Sequence, residues 1–149
     1  MIPLYVMIAG IALARGIGAL WWLPLDDWQA ATRAGLALMF VFTGVAHFTG
    51  PRADLVAMVP PKLPYPGALV SITGLAEFAG AIGLMMPGFN RLAAYGLMAL
   101  LVLLFPANVY ASRTGHTIAG RPHTPLPFRT LLQIFWIGLL WWSVQDVPA

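Results

Sequence analysis

Five apolar stretches of roughly 20 residues divide this chain, and they limit its fold more than any other feature of the sequence. A helix needs about 20 mostly apolar residues to cross a membrane, with a range of about 17–25. The stretches are Pro3 to Trp22, Arg33 to Gly50, Gly67 to Met86, Leu92 to Tyr110 and Phe128 to Ser143. Prolines lie almost wholly between them, where helices are expected to end. The sequence therefore predicts an all-α membrane protein with a single transmembrane domain.

The composition agrees with this prediction and excludes several soluble classes. Of 149 residues, 60% are hydrophobic and 9% are charged, whereas soluble proteins average roughly 45–50% apolar and about 25% charged residues. The net charge of +3 comes from residues between the stretches, which indicates membrane topology rather than nucleic-acid binding. Because the chain has no cysteine, thiolate metal sites, iron–sulfur clusters and an intrinsic disulfide relay are excluded.

Basic residues between the stretches predict the orientation in the membrane. If all five stretches cross, the loops on the side of the N-terminus carry Arg52, Lys62, Arg113, Arg121 and Arg129. The opposite side carries Arg33, Arg91, Asp26, Asp27 and Asp146. Lysine and arginine concentrate in cytoplasmic loops. We therefore expect a cytoplasmic N-terminus and an external C-terminus.

Tryptophan positions indicate the same topology independently. Tryptophan is enriched where membrane helices meet the lipid headgroups. Trp21, Trp22 and Trp28 lie around the end of the first stretch, and Trp141 and Trp142 lie at the end of the fifth. Five crossings place both ends at the same interface, as this enrichment requires.

Three ionisable side chains lie inside the apolar stretches rather than at their first residues: Arg15, Glu77 and, nearer an edge, His47. A charge at the bilayer centre costs at least about 2.5–3.5 kcal/mol on insertion scales, so each needs a partner, a water-filled cavity or a function. At about 1.5 Å of rise per residue, Glu77 lies roughly 15 Å and Arg15 roughly 18 Å from the cytoplasmic ends of their helices. We therefore hypothesise that Arg15 pairs with Glu77. Three roles stay open for the pair: packing, a polar centre for a ligand, or proton handling by the carboxylate.

Two further polar residues belong to this hypothesis. His47 lies at about the same predicted depth as Asn108, so we expect both to line one polar mouth. Pro106 lies two residues before Asn108 and should kink the fourth helix. His116 and His123 do not match a zinc spacing, and no metal site is predicted.

Small residues surround Glu77 on the third helix. Ala76 and Gly80 are four residues apart, as are Ala79 and Gly83. Such pairs let membrane helices approach closely. A phosphate-binding loop is disfavoured because no strand precedes these glycines.

Four short blocks of sequence resemble a known family. They are Phe42 to Phe48, Met58 to Pro60 with Leu63 to Pro66, Thr73 to Glu77, and Phe105 to Asn108. In this order and spacing, the chain resembles the DoxX-like (DoxX/DoxD) integral membrane proteins over about Arg33 to Trp142. The resemblance implies a four-helix DoxX-like transmembrane core with an additional N-terminal transmembrane helix, in a prokaryotic cytoplasmic membrane.

The resemblance also implies a kind of function. Named members of the family are small membrane subunits in quinone-linked sulfur oxidation or in thiol-stress complexes. His47, Glu77 and Asn108 are the positions carried over as a polar centre, whereas Arg15 lies outside the matched region and enters through its depth alone. Branches that pass electrons through cysteine pairs are no guide here, because this chain has no cysteine.

Three classes of function stay open. The first is a membrane subunit that supports an oxidoreductase or a thiol-stress complex and binds a quinone or another lipophile through Arg15, Glu77, His47 and Asn108. The second is a stand-alone membrane enzyme, such as an isomerase, with Glu77 and His47 as catalytic residues and Glu77 as the acid or base. The third is an assembly protein without a ligand, whose small-residue helix faces bind a partner or a second copy. No nucleic-acid partner is expected.

Overall fold

The computed structural model describes residues 2–20, 25–115, 117–118, 121–122 and 124–145. The helices are α1 (Ile2–Leu20), α2 (Trp28–Ala46), α3 (Arg52–Ala57), α4 (Pro66–Met85), α5 (Asn90–Thr114) and α6 (Leu126–Trp142). Two short antiparallel strands, β1 (Thr117–Ile118) and β2 (Arg121–Pro122), lie between α5 and α6. The predicted all-α fold is confirmed.

The long helices match the predicted apolar stretches in number and order. Within the described ranges, four of them, α1, α2, α4 and α5, are long and apolar enough to cross a membrane. The helix α6 has 17 residues, which is about 25 Å at 1.5 Å per residue. A fifth crossing by α6 therefore stays a prediction.

The start of α2 differs from the predicted stretch. We predicted a start at Arg33, but the helix begins at Trp28, because Asp27 caps it and accepts a hydrogen bond from the Ala30 backbone N–H at 2.8 Å. The first turns of α2 include the polar residues Gln29 and Thr32, which lower the apolar character of the window. Both side chains are buried in protein contacts. The end of α2 at Ala46 is also four residues earlier than predicted.

The helices pack in a nearly sequential order. The helix α1 packs on α2, α2 on α4, α4 on α5 and α5 on α6, and α6 also reaches back to α2. The core lies between them, toward the end of the bundle where α4 ends and α5 begins. Its largest fully buried side chains include Met7, Leu36, Phe40, Leu84, Leu97 and Leu140.

Glycines allow close approach between neighbouring helices. A Cβ atom at Gly35 would lie 2.7 Å from the Met7 carbonyl oxygen of α1. A Cβ atom at Gly80 would overlap the Leu97 side chain of α5, and one at Gly83 would lie 2.7 Å from Ala93. The predicted close-packing role of Gly80 and Gly83 is confirmed. Since both glycines pack inside the chain, they do not offer a free surface to a partner.

The helices α1 and α4 meet α2 at different heights. Gly10 of α1 faces Gly35, whereas Phe78 of α4 faces Gly44. Nine residues of α2 separate these two contacts, which is about 13 Å along the helix axis. The helix α1 is therefore displaced toward the N-terminal end of α2, relative to α4.

The N-terminus of α2 and the C-terminus of α6 share one end of the bundle. The guanidinium of Arg33 donates a hydrogen bond to the Ser143 carbonyl oxygen. Arg91 of α5 donates to the carbonyl oxygens of Val144 and Gln145, at 3.4 and 3.3 Å. Trp28, Trp141 and Trp142 are exposed at this end, while Trp21, Trp22 and Asp146 lie outside the described residues.

Candidate functional site

Three polar side chains meet at the contact between α2 and α4. We call Thr43, His47 and Glu77 the polar cluster. Glu77 is only 5% exposed and His47 only 8%. The His47 Nδ1 atom lies 3.8 Å from the Glu77 Oε2 atom. The Thr43 hydroxyl donates to the Met39 and Phe40 carbonyl oxygens of its own helix. The structure therefore brings together two of the predicted site residues, His47 and Glu77.

A glycine on each helix makes this contact possible. A Cβ atom at Gly74 would lie 2.6 Å from the His47 Cβ atom, and one at Gly44 would lie 3.0 Å from the Phe78 ring. Phe78 in turn stacks on Phe48, with 6.0 Å between ring centroids. The stacked rings and the glycines fix the two helices at a short distance, so that the Glu77 side chain reaches His47.

The hydrogen bonds of the cluster leave one carboxylate oxygen without a partner. His47 Nδ1 lies 2.9 Å from the Thr43 carbonyl oxygen, so this nitrogen carries the proton that is donated to the carbonyl. Its 3.8 Å distance to Glu77 Oε2 is too long for a hydrogen bond. Among the described residues, Glu77 Oε2 has no hydrogen-bond partner and is fully buried.

The surroundings of His47 favour the neutral form of its imidazole. His47 follows the last residue of α2, and burial lowers the pKa of its ring. The hydrogen bond to the Thr43 backbone acts in the opposite direction, and the positive charge of Arg52 adds to the lowering. A neutral ring protonated at Nδ1 has an unprotonated Nε2, which can accept a hydrogen bond or a proton.

Arg52 anchors the helix ends beside the cluster. Its guanidinium donates to the carbonyl oxygens of His47 at 2.7 Å and Gly67 at 3.1 Å, and to the Ser71 hydroxyl at 3.0 Å. These bonds link α3 to the end of α2 and the first turns of α4. The sequence predicted only a topological role for Arg52, and no sequence signal linked it to His47.

The predicted pair of Arg15 and Glu77 is wrong. Arg15 forms an ion pair with Asp26 at 2.5 Å, and its guanidinium lies 4.7 Å from the centre of the Trp28 ring. Because α1 is displaced along α2, Arg15 lies about 20 Å from the height of Glu77, counting fourteen residues at 1.5 Å each. The depth estimate failed because it assumed that both helices begin in the same plane.

Asn108 is also separate from the polar cluster. Its side-chain oxygen accepts a hydrogen bond from Arg129 of α6. Leu97 packs on Gly80, so these two residues lie at one height. In the same direction from this height, Asn108 lies eleven residues away along α5 and Glu77 lies three residues away along α4. The difference of eight residues is about 12 Å. Asn108 is therefore separated in height from Glu77, and the polar mouth that we expect it to share with His47 stays a prediction.

Two apolar grooves lie on the outside of the helices. The larger, of about 500 Å³, lies between α2 and α4 and is lined by residues such as Leu38, Val41 and Ile82. The second, of about 390 Å³, lies between α5 and α6 beside Pro106. Neither is lined by His47 or Glu77. Pro106 lies inside α5 as predicted, whereas the kink that we expect there stays a prediction.

In the described part of the chain, no group of three or more histidine, cysteine, aspartate or glutamate side chains could hold a metal ion. His116 and His123 lie outside the described residues.

The chain matches one known protein family. The model of one family, a domain of unknown function (DUF8561), matches residues 36–144. This range begins inside α2 and leaves α1 outside. No curated protein and no solved structure matches the chain.

Proposed function

Because the chain belongs to the DUF8561 family, whose function is unknown, we propose its function from its own residues. It is an integral membrane protein that binds a quinone or another lipophilic molecule through Glu77 and His47. The binding supports an oxidoreductase in the same membrane. The observation that carries this proposal is the buried Glu77 carboxyl group, whose Oε2 atom has no partner within the described residues.

The apolar helix surfaces support the membrane location. Large hydrophobic side chains are exposed along every long helix, for example Leu13, Leu75, Leu103 and Leu131, which are 59–75% exposed. A soluble protein rarely exposes so much contiguous apolar surface, whereas lipid requires it. We propose five crossings in a prokaryotic cytoplasmic membrane, with the N-terminus in the cytoplasm. In this orientation most basic loop residues lie inside; they are Arg52, Lys62, Arg113, Arg121 and Arg129.

The helix arrangement supports a DoxX-like core. The helices α2, α4, α5 and α6 contact one another in that order, and α6 contacts α2 again. The helix α1 packs on α2 at the edge of this group. The family match, which starts inside α2, agrees with an additional first helix.

The chemistry of the polar cluster favours binding of a polar head group. A buried oxygen without a hydrogen bond costs about 1–3 kcal/mol, and more when it carries charge. A ligand hydroxyl can remove this cost by donating to Glu77, and a carbonyl can do so by accepting from the protonated carboxyl group. The remaining part of the ligand is apolar, because the cluster is enclosed by apolar helices.

The two other classes of function have weaker support. An isomerase that uses Glu77 as acid or base would act on the same site, and turnover by the isolated chain would distinguish it from a binding subunit. The assembly protein was suggested by the small-residue face of α4. Gly80 and Gly83 already pack against α5, so this face is used within the chain.

Membrane location is tested by cell fractionation. We expect the protein to stay in the membrane pellet after a carbonate wash and to enter solution only with detergent. A protein that remains dissolved without detergent would contradict the proposal at its first step.

Ligand binding is tested by thermal unfolding of the purified chain in detergent with decylubiquinone. We expect saturating ligand to raise the melting temperature by a few degrees, as any ligand selective for the native state does. Glu77→Ala should abolish this shift. The matched control is Gln29→Met, which alters a buried polar side chain at the opposite end of α2 and should keep the shift. Loss of the shift in both variants, or its persistence in Glu77→Ala, would contradict the proposed site.

A further inference from the structure

Two buried side-chain polar atoms lack a hydrogen-bond partner in the described ranges, and they differ in chemistry. One is the carboxylate oxygen Glu77 Oε2, and the other is the indole nitrogen Trp136 Nε1 of α6. An indole N–H can only donate, and an ionised carboxylate can only accept. With Glu77 ionised, a ligand that serves both atoms must therefore accept from the indole and donate to the carboxylate, as a hydroxyl group can.

The two residues lie at the same height in the bundle. Arg91 bonds the Val144 carbonyl, and Ala93, two residues from Arg91, faces Gly83. Trp136 lies eight residues from Val144. Measured from the height of Arg91, Trp136 is eight residues away and Ala93 is two, so Trp136 lies six residues from the height of Ala93 and Gly83. Glu77 also lies six residues from Gly83 along α4.

A second register gives the same height. The bond between Arg129 and Asn108 connects the other halves of α5 and α6, and Trp136 lies seven residues from Arg129. Since Asn108 lies eleven residues beyond Leu97, Trp136 lies four residues beyond the height of Leu97 and Gly80. Glu77 lies three residues beyond Gly80, so the two heights agree within about one helical turn, or ~5 Å.

Glu77 is buried and Trp136 is half-buried, with its Nε1 atom inside. Trp136 packs against the hydrophobic core, which includes Ala81 of α4 and Phe40 of α2. Ala81 is one helical turn from Glu77, and Phe40 is one turn from Thr43. Glu77 and Trp136 thus lie at one height, on two helices that pack against the same hydrophobic core.

We propose that Trp136 is a second binding residue of the same site and that the ligand is a lipophile with a hydroxyl group on its head, of the phenol or hydroquinone class. This inference rests on the proposed function. An oxygen of the head group accepts a hydrogen bond from Trp136 Nε1, and a hydroxyl hydrogen is donated to Glu77 Oε2. A hydroquinone provides both groups, whereas its dimethyl ether provides acceptors alone.

The first test is equilibrium binding to the full chain in lipid nanodiscs. The probes are decylubiquinol and its dimethyl ether. We expect the Kd of decylubiquinol to rise roughly 5- to 20-fold in Trp136→Phe, which keeps an aromatic ring but removes the donor. The matched control is Trp141→Phe on the same helix, an exposed tryptophan, which should leave the Kd unchanged. The dimethyl ether should bind the wild-type chain more weakly by a similar factor.

The second test reads the indole hydrogen directly in the wild-type chain. The Trp136 N–H resonance is assigned in nitrogen-15 spectra from its loss in Trp136→Phe. We expect decylubiquinol to shift this resonance downfield, as a new hydrogen bond does. If decylubiquinol binds with a Kd that Glu77→Gln weakens while the Trp136 resonance and the Trp136→Phe affinity stay unchanged, this inference is wrong and the proposed function stands. If the wild-type chain binds neither probe nor decylubiquinone, both fail.

Discussion

The contact between His47 and Gly74 sets the distance between α2 and α4 at the polar cluster. Because Gly74 has no side chain, the His47 ring lies directly on the α4 backbone, and Glu77 on the next turn reaches the imidazole. The orphaned Oε2 atom of Glu77 follows from the same geometry, since His47 Nδ1 is already engaged by the Thr43 carbonyl at 2.9 Å. A small change at Gly74 should therefore affect both packing and binding.

We predict that Gly74→Ala destabilises the protein by about 1–3 kcal/mol, because its new methyl group would force His47 away from α4. Thermal unfolding in detergent measures this effect. The matched control is Gly96→Ala on α5, where a Cβ atom would meet nothing within 4 Å; it should be neutral or stabilise by up to about 1 kcal/mol. Equal melting temperatures for the two variants would show that the contact is not tight.

A second residue-scale prediction concerns Arg52. Arg52→Lys keeps the positive charge but cannot reach the His47 carbonyl, the Gly67 carbonyl and the Ser71 hydroxyl together. We expect a loss of about 1.5–3 kcal/mol in unfolding free energy. The control is Arg113→Lys, an exposed arginine in the last turn of α5, for which no change is expected. If both variants unfold alike, the three hydrogen bonds of Arg52 do not hold the helix ends.

Two residues of the candidate site could be predicted from the sequence, for a physical reason. Glu77 and His47 stand out because an ionisable group in an apolar stretch is visible without any structure. Their neighbours are not visible, since the height of a residue depends on how far each helix slides along the next. Arg15 was matched to Glu77 by counting from helix ends, and the displacement of α1 made that count wrong. Trp136 gave no signal, because a tryptophan is ordinary in an apolar helix.

At the scale of elements, α1 is attached almost wholly through α2. Its buried residues are Met7, Gly10, Ala14 and Gly18, which form one narrow stripe of mainly small side chains. Packing of this kind depends on close backbone approach rather than on a large buried area. The helix should therefore be sensitive to any side chain added at the crossing point.

We predict that Gly35→Ala loosens α1. A Cβ atom there would overlap the Ile11 side chain and lie 2.7 Å from the Met7 carbonyl oxygen, and the backbone cannot move aside without separating the helices. We expect a loss of about 1–3 kcal/mol and faster proteolysis near α1 in detergent. Gly16→Ala is the matched control, as nothing lies within 4 Å of the position that its methyl group would take. Comparable protease resistance of the two variants would contradict the tight crossing.

Element boundaries were predictable where composition changes sharply and not elsewhere. The predicted start of the third stretch, Gly67, is within one residue of the start of α4 at Pro66, because a run of prolines precedes it. The start of α2 was missed by five residues, because Gln29 and Thr32 look like loop residues. They are buried against other helices, and hydropathy cannot register such tertiary contacts.

At the scale of the whole molecule, the helices form a staggered group rather than a level one. The helices α4 and α5 continue past the C-terminal end of α2, and α3 packs beside α4 in the space that α2 leaves. At the other end, α1 continues past α4. Whether the short helix α6 crosses the membrane decides the topology of the C-terminus, because its length of about 25 Å is slightly less than the roughly 30 Å of bilayer hydrocarbon.

The absence of cysteine from the sequence allows each side of the membrane to be probed with single thiols. We predict that a cysteine at Lys62 reacts with a membrane-impermeant maleimide only in inverted vesicles, whereas a cysteine at Gln145 reacts in intact spheroplasts. Phe89→Cys, in the exposed turn between α4 and α5, is the control for the external side. Three crossings, α4, α5 and α6, separate Lys62 from Gln145, so labelling from opposite sides requires that α6 spans. If Gln145→Cys is labelled from the same side as Lys62→Cys while Phe89→Cys is labelled from the other, α6 lies in the interface and the chain crosses only four times. That result would also weaken the Trp136 proposal, because an interfacial α6 would carry the indole out of the interior that Glu77 faces.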